Sequence, residues 1–246
     1  MLCDLNCDMG EGIGNDADLM PFISSANISC GFHAGNSQII RQTIELALEH
    51  GVHMGAHPSF RDKEHFGRRE MKLSPDKLYA IVLEQLIKIE LLAKEKGATL
   101  HHVKPHGALY NLAAKDSLTA KTIAQAVKDF NEVLIVYGLS GSYMISEAKA
   151  LGLKTASEVF ADRTYQDDGN LLPRTHTNAL ITTVEESIDQ VKQMINEGTA
   201  TSVNGKPVPV VAETICIHGD GVTAVALAKA LYRFLNGNEV SEVNSV

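Results

Sequence analysis

Strand-like and helix-like segments alternate along this chain from end to end, and that alternation limits the fold more than any single motif does. Strands are expected within residues 2–14 and over 26–30, 52–56, 99–104, 132–137, 154–161 and 211–217. Helices are expected over about 36–50, 74–96, 117–130, up to about 151, over 184–197 and up to about 235. The helix ends carry ordinary signals. Asn36 or Ser37 can cap the first helix and Gly51 stops it, while Ser74 precedes Pro75 at a first helical position. No linker or shift in composition interrupts the pattern, so one α/β domain over 1–246 is expected, with a polar tail from about 237.

Alternate residues of a strand share a face, and here one face is repeatedly polar. Asp4, Asn6 and Asp8 form such a row, as do His53, Gly55 and His57, and His102, Lys104 and His106. Glu158 with Asp162, and Thr214, Cys216, His218 with Asp220, continue the pattern. Only the fifth strand, with its run 133–136 of Val, Leu, Ile and Val, reads as apolar on both faces. A parallel sheet covered by helices on both sides needs two apolar faces. A closed barrel can instead gather polar rows in its lumen, below a rim where ligands bind. The expected fold is therefore an α/β barrel of about seven strands, slightly smaller than the eight-stranded kind.

Composition narrows the class. Apolar residues make up 44% of 246, enough for a large core, and the net charge of −8 with no Lys/Arg run argues against nucleic acid as a partner. No apolar run approaches the roughly 18 residues of a membrane span. The start of the chain lacks the basic and apolar regions of a signal peptide. The four cysteines show no CxxC spacing. A reduced, cytoplasmic protein is the expectation.

Nearly every strand hands over to polar groups at its C-terminal end: Asp8 and Glu11, His33, His57, Lys104 and His106, Asp162 and Arg163, His218 and Asp220. In a parallel α/β fold these ends converge on one rim. Carboxylates and histidines there suit general acid–base work or a divalent metal, for which Asp8, His33 and His57 are candidates. Lys104, Arg163 and Arg174 suit a carboxylate or phosphate. A lysine at position 104, on a buried strand, needs a partner. A lumen salt bridge to Asp4 or Glu158 and contact with a substrate anion both satisfy that need. The run Gly10-Glu11-Gly12-Ile13-Gly14 is not a Walker motif. The turn at Gly138–Ser142 precedes a helix, so its amides are able to hold an anion.

Seven ordered blocks carry a family resemblance: DLNCDMGEG, SSANISCGFHAG, GAHPSF followed by FGRR, HVKPHGALYN, EVFADRTY, LLPR and ETICIHGD. Together they resemble the LamB/YcsF family across residues 4 to about 220. Asn36-Ser37, Thr177-Asn178 and Glu213 depart from the family's usual residues, all at the flanks of blocks. The resemblance implies an irregular seven-stranded (β/α) barrel related to sugar-deacetylase and glycosidase barrels. It also implies ATP-dependent opening of the 5-oxoproline (pyroglutamate) lactam to L-glutamate, with ATP as co-substrate and 5-oxoprolinase subunits B and C as partners. In that chemistry Asp8 or His106 would deprotonate water, and Lys104 with Arg163 would balance anionic charge. Asn6, Glu11, His33, His57, Asp162, Arg174, His218 and Asp220 would line the pocket, some of them holding Mg²⁺, Mn²⁺ or Zn²⁺ if a metal is used. Two other readings stay open: a stand-alone metal-dependent deacetylase or amidohydrolase, and a non-catalytic substrate-binding subunit. The number of copies in the assembly is open as well.

Overall fold

A computed structural model describes residues 3–221 and 223–237. The polar tail expected from about 237 lies, from 238 onward, outside the described residues. In chain order the elements are β1 (Asp4–Met9), α1 (Asp16–Leu19), a single 3-10 turn, β2 (Ser25–Ser29), α2 (Ser37–His50), β3 (His53–His57), α3 (Pro75–Lys94), β4 (His102–Val103), α4 (Gly107–Lys115) and α5 (Ser117–Asn131). They continue with β5 (Ile135–Leu139), α6 (Tyr143–Ala150), β6 (Lys154–Phe160), α7 (Val184–Glu197), β7 (Thr199–Thr201), β8 (Pro207–Pro209), β9 (Thr214–Ile217) and α8 (Ala224–Leu235).

Seven strands close a barrel in the order β1-β2-β3-β4-β5-β6-β9. Every pairing is parallel, so all C-terminal ends meet at one rim. The outward rows, such as Leu5, Cys7 and Met9 of β1 and Ile215 and Ile217 of β9, are fully buried under helices. Burial of that apolar surface drives the packing, at roughly 25 cal/mol per Å² removed from water.

The helices follow their sequence signals. Asn36 Oδ1 accepts from the amides of Gln38 at 2.9 Å and Ile39 at 3.1 Å, capping α2. Gly51 ends that helix at φ 66°, a left-handed conformation cheap only for glycine. In α3 the buried face includes Gln85, whose amide bonds both backbone groups of Ser59, at 2.9 and 3.0 Å. A helix on the outside thus pins the loop that follows β3.

The structure departs from the expected elements at α1, where no helix is expected, at β4, which covers only His102–Val103 of the expected 99–104, and at four further places. Helix α4 follows directly after β4, where no helix is expected, because its opening glycine and the adjacent Pro105-His106 read as a turn. A β7–β8 antiparallel hairpin lies outside the barrel, where only a connection is expected. Strand β2 starts at Ser25, so Ser25, Asn27 and Ser29 form another polar row. Strand β5 starts at Ile135, which leaves Val133 68% exposed and turns Tyr137 into the lumen against His102. The fifth strand is therefore no exception to the polar lining.

Candidate active site

The lumen is a stack of hydrogen-bonded polar side chains. At its base, Asp4 accepts from Ser24 Oγ at 2.6 Å, Ser25 Oγ at 2.7 Å and Thr214 Oγ1 at 2.5 Å. One step up, Asn6 Nδ2 donates to Glu158 Oε1 at 2.9 Å and Thr214 Oγ1 at 2.7 Å. Asn27 Nδ2 donates to Asn6 Oδ1 at 2.7 Å and to Asp8 Oδ1 at 2.9 Å. His102 Nε2 donates to Asn27 Oδ1 at 2.8 Å. Gly55 leaves room for that ring, since a Cβ at position 55 would fall on the His102 imidazole.

Lys104 crowns this stack at 2% exposure. Its ammonium lies 2.9 Å from Glu158 Oε1, 3.0 Å from Asp8 Oδ1, 3.0 Å from Cys216 Sγ and 3.2 Å from Asn6 Oδ1. Three protons face four acceptors, so the lysine is fully engaged. Burial works against its charge, yet Asp8, with Cys216 and Glu158, holds its pKa well above the ordinary lysine range. Burial likewise works against charge on Asp8, and the neighbouring His57 and Lys104 outweigh it, keeping this carboxyl well below its usual range. Of the two partners expected for Lys104, Glu158 is in contact and Asp4 is one level too deep.

Above Asp8 sits a compact cluster. His57 Nε2 is 3.3 Å from Asp8 Oδ2 and 2.9 Å from His106 Nδ1. His33 stacks on His106 with ring centroids 3.8 Å apart, and its Nε2 lies 2.9 Å from Glu11 Oε1. Burial pushes the His33 and His106 pKa values well below the usual histidine range. Burial and the Asp8 charge push the Glu11 carboxyl up to about 7. One glycine permits the stack: a Cβ on Gly67 would sit 2.8 Å from His33 Cβ and 2.9 Å from His106 Cδ2.

A cleft of about 610 Å³ opens over this rim, large enough for a small metabolite. Asp8, His57, Lys104, His106 and His218 reach its floor, and Arg68, Lys115, Arg163 and Arg174 surround it. His218 Nδ1 is 2.9 Å from Asp162 Oδ1, and Asp162 Oδ2 accepts the His218 amide at 2.9 Å. Asp220 accepts from Arg68 Nη2 at 2.8 Å and lies 3.7 Å from Arg174 Nη1. Arg163 is buried and commits Nε to Ala179 O at 3.2 Å and Nη2 to Leu172 O at 2.6 Å. Desolvation lowers its pKa to about 10.

The residues expected at the site thus come together, at different depths. Asn6 is fully buried below the cleft and acts on it through Asp8 and Lys104. Asp162 touches the cleft's lining through His218. The metal candidates divide: His33 and His57 belong to a group with Glu11 and His106, while Asp8 groups with Cys216 and His218. Residues that the sequence did not single out also line the cleft: Arg68, Tyr110 and Lys115. Tyr110 stands in the HVKPHGALYN block, and only the helical turn of α4 reveals that it faces the cleft. Among the described residues no helix is long and apolar enough to cross a membrane.

Comparison with known proteins follows the same lines. The LamB/YcsF family model matches residues 3–245. The A subunit of 5-oxoprolinase from Shouchella clausii is 53% identical, over 93% of this chain and 92% of its own. Its counterpart from Geobacillus kaustophilus is 48% identical, over 97% of this chain and 94% of its own. Among solved structures, the lactam utilization protein from Thermus thermophilus superposes with a TM-score of 0.88 at 42% identity, covering 96% of this chain and 97% of that one. With the barrel, the ordered sequence blocks and the relatives in agreement, this chain belongs to the LamB/YcsF family.

Proposed function

We propose that this chain is the A subunit of an ATP-dependent 5-oxoprolinase, which opens the five-membered lactam of 5-oxo-L-proline to L-glutamate with 5-oxoprolinase subunits B and C. The observation that carries this reading is the buried Asp8 carboxyl, clamped by Lys104 and facing His57, on the floor of a cleft ringed with arginine. The names of the relatives point to the same lactam chemistry.

A five-membered lactam is an unstrained amide whose ring closes again readily, so hydrolysis needs coupling to ATP. In the proposed sequence the γ-phosphoryl group passes to the lactam oxygen and ADP leaves. Water, losing its proton to Asp8, adds to the ring carbon; His106, whose two ring nitrogens are engaged by the Phe66 carbonyl and His57, positions His57 rather than taking that proton. The carbon–nitrogen bond then breaks, the nitrogen takes a proton, and a second water releases phosphate from the resulting acyl phosphate. Arg68, Arg174 and the free face of Arg163 balance the substrate carboxylate and the phosphoryl oxygens. Lys104 keeps Asp8 oriented and ionised, because its own protons are already engaged.

The test is glutamate release from 5-oxoproline by the purified chain, with and without its partners and ATP. Release only with partners and ATP supports the reading. Release by the chain alone without ATP overturns it in favour of a stand-alone hydrolase.

A further inference from the structure

The His57–His106 pair is short of a proton when both rings are neutral. His57 Nδ1 lies 2.7 Å from the Lys104 carbonyl, and His106 Nε2 lies 2.9 Å from the Phe66 carbonyl. A carbonyl only accepts, so both of these ring nitrogens carry the proton. In two neutral rings the other nitrogens, His57 Nε2 and His106 Nδ1, are then both lone pairs. They face each other at 2.9 Å. Glu11 Oε1, a third electron-rich atom, is 3.6 Å from His106 Nδ1. The arrangement needs a positive charge among them, which either a third proton on His57 Nε2, 3.3 Å from Asp8 Oδ2, or a bound metal ion would supply.

The surroundings are built to hold it so. Phe66 is the sole non-glycine with a left-handed φ among the described residues, at 55°, and its carbonyl fixes the His106 tautomer. Such backbone strain persists where neighbours over-determine it. A carbonyl behind each ring is the usual arrangement around metal-bound histidine, since it aims the opposite lone pair. The two rings meet at 82°, with their facing nitrogens 2.9 Å apart.

We propose that His57 Nε2, His106 Nδ1 and Glu11 Oε1 bind a divalent transition metal ion of the zinc class at the edge of the cleft. Three protein ligands leave one position free, and His57 and His106 line the cleft, so that position opens toward it. The ligand atoms of the cluster lie within 4.8 Å of one another, and the 2.9 and 3.6 Å edges bracket the about 3.3 Å edge of a tetrahedral zinc site. His33 is an outer partner. Its ring is parallel to that of His106, at 6°, so an ion in the plane of one ring lies off the plane of the other. Its Nε2 instead orients Glu11 at 2.9 Å. Bound there, such an ion would polarise a carbonyl or phosphoryl oxygen, or make water acidic, at the wall of the cleft.

The test is titration of the full chain, stripped with chelator, with Co²⁺ alone. The expected result is one Co²⁺ per chain, visible absorption of a four-coordinate site, a rise in melting temperature, and displacement by Zn²⁺. Glu11→Gln, which keeps the side-chain shape, and His106→Gln should each abolish the absorption. His33→Gln should weaken uptake about 10- to 100-fold, as loss of an outer partner does. No stoichiometric uptake, or uptake unchanged in both Glu11→Gln and His106→Gln, would overturn the proposal. So would ¹⁵N spectra showing both His57 nitrogens protonated in the presence of excess Zn²⁺, since a proton would then occupy the gap. Metal uptake is read without lactam or ATP, so its failure is distinguishable from failure of the lactam reaction.

Discussion

The Lys104 ammonium lies 3.0 Å from the Asp8 carboxylate inside the barrel, with Lys104 itself 2% exposed. With Glu158 at 2.9 Å, this contact ties together β1, β4 and β6, no two of which pair with each other. Removing one partner of such a network leaves the other charges buried and uncompensated. Lys104→Met should therefore cost about 3–5 kcal/mol of stability and abolish turnover. Urea unfolding checks the first effect and glutamate release the second. A variant with wild-type stability would contradict the network's role.

The Asp162–His218 pair sets an acid limit on stability. Burial alone would raise the Asp162 carboxyl, but the His218 charge and hydrogen bonds outweigh it and hold the pKa below 3.8. A depressed carboxyl contributes stability that is complete above its unfolded value and is lost as pH falls through the folded one. Wild type should lose more stability on acidification below about pH 4 than Asp162→Asn, which lacks this contribution at every pH. Denaturant midpoints from about pH 7 down to about pH 3 decide it. Parallel curves would contradict the linkage.

Gly67 tests the packing that brings the histidines together. Alanine there would meet His33 and His106 at 2.8 and 2.9 Å from a backbone held at φ 66°. Gly67→Ala should lower stability by about 1–3 kcal/mol and separate the stacked rings. Thermal melting checks the loss. An unchanged melting temperature would show that the loop yields freely.

Tyr110 extends the Lys104 network. Its hydroxyl is buried beside the Glu158 carboxyl, and burial, with the charge and hydrogen bond of Glu158, pushes its pKa well above the ordinary tyrosine range. Tyr110→Phe leaves Glu158 with one partner fewer and should cost about 1–3 kcal/mol, read by urea unfolding. Stability equal to or above wild type would show that the hydroxyl does not pair with Glu158.

Much of the fold and site is legible in the sequence, for physical reasons that differ between regions. Rows such as Asp4-Asn6-Asp8 and His102-Lys104-His106 announce a polar lumen, because strand geometry forces alternate residues onto one face. The row Ser25-Asn27-Ser29 is hidden by a strand starting one residue early, and Tyr137 by an apolar run that starts two residues before its strand. Helix α4 is masked by Gly107, and with it the orientation of Tyr110. Depth within the lumen is beyond sequence altogether. Asn6 and Asp8 stand two residues apart, yet only Asp8 reaches the cleft, a consequence of strand register and barrel closure. The pairing of His57 with His106 crosses 49 residues and depends on the Phe66 loop.

On the proposed function, the chemistry of the assembled enzyme takes place at the rim around Asp8. The most direct measurement is ATP-coupled glutamate release by the complete complex carrying Asp8→Asn, which keeps the side chain's size and removes its charge. Turnover should fall roughly 10²–10⁴-fold with the complex still assembled. Turnover within a few-fold of wild type would contradict it and move the reacting centre out of this chain.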